Sequence, residues 1–155
     1  MRLSDGLAAQ VERQWTMFRM IVGCITYTQW HAGEHGGLVP ARIALHALQW
    51  ADYYIQADPN SFNPKERFGL DANDDPASLP DRAAFRAYLD DVAARTDVHL
   101  RSLEETDLFA EESLFPWTGT TTLERILYTF RHTTYHLGEL SYVLRHHGAS
   151  TTEWR

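Results

Sequence analysis

His132 and His136 stand four residues apart in the run Phe130-Arg131-His132-Thr133-Thr134-Tyr135-His136-Leu137-Gly138-Glu139-Leu140. On a helix that spacing turns the two imidazoles only about 40° from one another, so both can reach one ion. The flanking pattern predicts the helix. Thr121 and Glu124 make a capping box, apolar residues recur through Leu144, and Gly148 stands where a helix stops. A catalytic metal usually takes three protein ligands and keeps one position open. The pair therefore calls for a third donor from elsewhere in the chain.

Eight histidines are present. His146 and His147 fall in the last turn of the same helix, where cationic groups suit the helix dipole. Adjacent residues diverge by about 100°, so these two cannot both face one internal site. His99, between Val98 and Leu100, reads as a surface or boundary residue. His31 and His35 repeat the four-residue spacing, but Gly33, Gly36 and Gly37 interrupt the helix that would align them, and they read as structural or incidental. His46 is different. It lies roughly 60–70° from the middle of the stripe Ile43, Ala47, Trp50 and Tyr54, near an interior but outside its driest seam. His132 and His136 likewise flank the stripe Leu123, Ile126, Phe130, Leu137, Leu140 and Leu144. Periodicity leaves two readings level: three imidazoles converging in a cleft, or a hydrogen-bonded His46 beside a solvated helical pair.

The elements that must position these residues are helical. Leu3, Leu7, Val11, Trp15, Phe18, Val22 and Ile25 step by four or three and predict a helix over 3–30. Further helices are expected over 41–57, 79–103 and 122–147, with Pro40 suited to the first turn of the second. No strand-like alternation competes. An all-α four-helix bundle, one domain over 1–155, is the expected fold. The connection 58–80 holds four of the six prolines. It exceeds the ~12–15 residues usual for structureless loops in a compact domain, so it reads as a lid or a long crossover. A second irregular stretch, 104–120, contains Pro116-Trp117.

Composition narrows the function classes. At 155 residues the chain can bury roughly 70% of its unfolded surface. Its net charge is −7, with no basic block, which disfavours DNA and anionic membranes. No apolar run approaches ~20 residues and no signal-peptide core precedes the first helix, so a cytoplasmic protein is expected. Cys24 is the single cysteine; set in the apolar stretch Met20–Ile25, it is expected to pack as a small hydrophobe. Of 14 basic residues only Lys65 is a lysine, a skew that fits a GC-rich genome better than a site requirement.

The chain resembles the DinB/YfiT-like superfamily of metal-binding four-helix bundles. The resemblance rests on a histidine in Ala44-Leu45-His46-Ala47-Leu48-Gln49-Trp50, the long connection after it, and the closing H-x-x-x-H followed by Leu137-Gly138-Glu139-Leu140. It covers nearly the whole length and implies that His46, His132 and His136 are three ligands of one divalent ion, zinc or nickel, with a position left open. The family often has Arg then Gly-Gln after the last ligand; this chain has Leu137 then Gly138-Glu139. Glu139 lies on much the same face as His136, placed to orient a ligand, act as a base or form a surface ion pair. What the resemblance implies for activity is a transferase, isomerase or detoxification enzyme. In it a low-molecular-weight thiol of the mycothiol or bacillithiol type attacks an electrophilic small molecule. Tyr27, Trp30, Trp50 and Tyr53 are the expected pocket residues. A metal-dependent hydrolase at the same ion, a noncatalytic metal-binding stress-response protein and a purely helical interaction module are the alternatives. A hemerythrin-like carrier would need a carboxylate-rich two-metal set whose spacing is missing. With five tryptophans and seven tyrosines, and relatives commonly dimeric, a homodimer is expected.

Overall fold

Each amphipathic stretch becomes a helix, in the order α1 (Leu3–Cys24), α2 (Tyr27–Trp30), α3 (Pro40–Tyr54), α4 (Arg82–Ser102), α5 (Glu105–Leu108) and α6 (Thr122–His146). The computed structural model describes residues 2–33, 38–56 and 58–148, and His35 falls outside them. The fold is all-α. α1 packs on α4 and α6, and α3 packs on α6 and α4, so the four long helices form a ring in the order α1, α4, α3, α6. No helix among the described residues is long and apolar enough to cross a membrane.

The core is aromatic at one end. Phe18 lies 5.6 Å from Phe85 and Trp30 lies 5.3 Å from Phe85, all buried. Removing a ring of this size from water stabilises the fold by roughly 1.5–3 kcal/mol. A second tie is polar: buried Asp52 of α3 accepts hydrogen bonds from Tyr88 Oη (2.7 Å) and Arg95 Nη1 (2.7 Å) of α4. Burial beside that carboxylate raises the Tyr88 phenol well above its ordinary value.

The first predicted helix is two helices. α1 ends at Cys24, Ile25 is extended, and α2 starts behind Thr26. The cause is local. Thr26 Oγ1 accepts from the Gln29 amide, and Gln29 Oε1 accepts from the Thr26 amide, a capping box that competes with continued helix. Ile25 stays buried, and its carbonyl is taken by the Arg82 guanidinium. Cys24 is exposed, contrary to the packing expectation: it lies about 200° around the helix from buried Val22. α4 begins at Arg82, later than the pattern suggested, because Asp81 caps it through the Ala84 amide at 2.8 Å.

The connection between α3 and α4 is an ordered wall. It contains single turns at Pro59–Ser61 and Pro76–Ser78. Gln49 of α3 holds it with one amide: Nε2 donates to Pro64 O (2.7 Å) and Leu70 O (3.3 Å), and Oε1 accepts from Ala72 N (3.3 Å). Arg42 adds bonds to the carbonyls of Ala72 (3.0 Å) and Asp74 (3.1 Å). In the 104–120 stretch, Leu108 and Phe115 are buried and Gly119 makes the turn into α6 at φ 139°.

Candidate metal centre

His46 comes from α3 and His132 and His136 come from α6, two helices in direct contact. The packing brings all three imidazoles together. One ring nitrogen of each lies within 4.8 Å of the others, and this group can hold a metal ion. Ring centroids are 4.5 Å apart for His132 and His136, 4.7 Å for His46 and His136, and 5.4 Å for His46 and His132. Each residue is half-buried.

The nitrogens are oriented as a ligand set would need. Nε2 of His132 and Nε2 of His136 are 3.2 Å apart. Two nitrogens bound to one zinc at about 2.05 Å and at the tetrahedral angle are separated by about 3.3 Å. The other nitrogen of His136, Nδ1, meets Glu139 Oε2 at 2.6 Å. A carboxylate there fixes the ring orientation, the usual outer support of a metal-binding histidine. His132 departs from that pattern, since its Nδ1 is buried with no hydrogen-bond partner among the described residues.

Electrostatics keeps the lone pairs available. Burial, then the neighbouring His136 and His46, pushes His132 down to about 4. Burial and His136 also lower His46, against an opposing pull from Glu139. Neutral imidazoles at pH 7 are what a divalent ion requires. The donor set and the 3.2 Å separation fit such an ion.

A cleft of about 290 Å³ opens beside His46. Trp50, Tyr53 and Phe62 form its aromatic side, and Gln49, Asp71 and Asn73 its polar side. Trp50 spans the boundary, its ring 6.0 Å from His46 and 6.4 Å from His132. Tyr128 stacks on His132 at 6.2 Å, and Tyr135 packs edge-on to His136 at 5.2 Å.

A family model described as the DinB superfamily matches residues 10–140. The chain belongs to the DinB superfamily. Its fold is shared with a solved structure described as a conserved protein from Enterococcus faecalis, at a TM-score of 0.74 and 18% identity, over 94% of this chain and 96% of that one. No curated protein matches the sequence.

Among the expected pocket residues of this DinB-superfamily chain, Trp50 and Tyr53 line the cleft. Trp30 does not. It is buried in the core, with its indole N–H donating to Pro80 O at 2.8 Å. Tyr27 does not line the cleft either, and is 73% exposed on α2. Both assignments followed from extending the first helix through residue 30; the break at Ile25 redirects that segment. His31 is structural, with Nε2 3.0 Å from Leu79 O. His99 is half-buried on α4, beside a small cavity that also touches Arg125. Phe62, Asp71 and Asn73 carried no sequence signal, because they sit in a non-periodic connection. Tyr128 could have been found, four residues before His132 on the same face.

Proposed function

We propose that His46, His132 and His136 hold one divalent ion, zinc or nickel, in an enzyme that transfers or isomerises through a low-molecular-weight thiol acting on an electrophilic small molecule. The observation that carries this reading is the Nε2 pair at 3.2 Å with Glu139 behind His136. The ion, when bound, supplies positive charge that makes a thiol or water at its open position more acidic. The chain's own residues do the rest. Three uncharged ligands leave the ion's charge undiminished, Glu139 holds the His136 ring, and Trp50 and Tyr53 wall the approach.

An external thiol is supported by the place of Cys24, the single cysteine, which is exposed on α1 and not among the cleft residues. Residues 1–155 act as one domain in this reading, in the cytoplasm and as a homodimer. The first test is metal per chain by elemental mass spectrometry, on the wild type and on a His46→Ala/His132→Ala variant. About one ion per chain, lost in the variant, supports the site. Equal metal in both, or none after adding divalent ions, sinks it. Thiol consumption in proportion to electrophile then separates transfer from hydrolysis, which consumes none.

A further inference from the structure

We propose that the cleft beside His46 selects a ligand whose body is a single ring or an equivalent apolar group, bearing a hydrogen-bond donor and no negative charge. The proposal deepens the metal-enzyme reading above, since it assigns the part of the substrate that lies beyond the ion.

Size comes first. A cavity of about 150 Å³ lined by aliphatic and aromatic side chains takes benzene. The 290 Å³ cleft here, open on one side, has room for a ring and its substituents. Shape comes next. Tyr53 contacts Trp50 at 5.4 Å and Phe62 at 5.3 Å, with interplanar angles of 80° and 53°. The three rings therefore form a bent aromatic wall, and its bend receives a ring in edge-to-face or offset contact. The opposite wall is fixed in advance, because the Gln49 amide and the Arg42 guanidinium hold the backbone from Pro64 to Asp74.

Charge decides the class. Among the described residues no lysine or arginine lines the cleft, and the one formal charge there is Asp71. Lys65 stands near, but its ammonium is shared between Asp71 (3.4 Å) and Asp74 (3.1 Å). Gln49 has no donor left for a ligand. Asp71 Oδ1 accepts from the Asn73 amide at 2.7 Å, and a carboxylate with about four lone-pair sites still has capacity for a donor. Away from the ion at His46, an anion in this cleft would face Asp71, whose nearby cation Lys65 is shared with Asp74. An ammonium or hydroxyl group would face a carboxylate and three aromatic faces, to which cations are attracted.

The experiment is titration calorimetry with benzylamine, benzyl alcohol and benzoate, on the metal-loaded protein and on a His132→Ala/His136→Ala variant in which benzoate has no ion to bind. Benzylamine and benzyl alcohol should bind both proteins with Kd values within about threefold. In the variant, benzoate should bind at least tenfold more weakly. Phe62→Ala, on the half-exposed side of the wall, should weaken the first two at least fivefold with the helical circular dichroism unchanged. Asp71→Asn should remove any advantage of benzylamine over benzyl alcohol. Benzoate binding the variant as tightly as benzyl alcohol, or Phe62→Ala leaving the neutral and cationic probes unaffected, overturns the proposal. Metal content of the same samples reports separately on the triad, so a failed metal site and a failed cleft preference give different results.

Discussion

Glu139 is the residue whose chemistry is most exposed to test. Its carboxylate meets His136 Nδ1 at 2.6 Å, that ring being its one polar contact among the described residues. Glu139→Ala should weaken metal binding about 10–100-fold in a chelator competition, the range found for outer-shell partners, with the helical signal intact. His132 gives a pH signature. Its folded value near 4 lies below its ordinary 6.5, so the unfolded chain binds the proton more readily. The stability it contributes is fully present above pH 6.5 and is lost as pH falls from 6.5 through about 4. Thermal melts of chelator-treated wild type should therefore fall over that window, and His132→Phe should flatten the fall. An equal slope in both proteins would remove His132 as the cause. At this scale the sequence was informative, because i, i+4 spacing on one helix is a local property. The third histidine of the triad was not local: His46 is separated from His132 by more than half the chain, and periodicity could put it near an interior without saying which interior.

Helix ends and connections were read less well, and each miss has a named side chain behind it. The break after Cys24 comes from the Thr26–Gln29 exchange, a short-range polar signal inside a long apolar pattern that outweighed it on paper. The start of α6 was legible, since Thr121 and Glu124 form the capping box expected of them. What the sequence did not reveal is Gly119. Its φ of 139° is left-handed, and a Cβ there would sit 2.4 Å from Glu124 Cβ. Gly119→Ala should destabilise the protein by about 1–3 kcal/mol in urea melts, through strain that L side chains avoid. A loss below ~0.5 kcal/mol would mean the turn relaxes freely. The 58–80 connection read as a lid or a long crossover because prolines and asparagines mark irregular backbone, and nothing in a one-dimensional pattern shows that Gln49 and Arg42 bind it. Gln49→Ala leaves Ala72 N, which is buried, without its acceptor. It should cost about 2 kcal/mol and speed hydrogen exchange across residues 64–72.

For the whole molecule, the bundle class followed from four separate helical periods, and the ring order α1, α4, α3, α6 did not, because pairing depends on contacts between distant stripes. One energetic consequence reaches every helix. In the proposed reading, an ion held by α3 and α6 binds the folded chain and not the open one. At a free concentration of 100 times its Kd it adds about 2.7 kcal/mol. Melting temperature should rise on adding zinc or nickel to chelator-treated protein and fall again with chelator, and the His46→Ala/His132→Ala variant should show neither change.

The division of the triad between α3 and α6 also sets the earliest time at which the three imidazoles can meet. While the ribosome is still adding residues beyond α4, His46 is in place but its partners have not yet been made. At roughly 5–20 residues per second, the chain spends several seconds in that state. Until His132 and His136 are made, the three imidazoles of the triad cannot act together, although His31, His35 and His99 are already in the chain. In the proposed reading, the triad can take an ion only after α6 docks on α3, so the ion it takes depends on what is available to a finished chain.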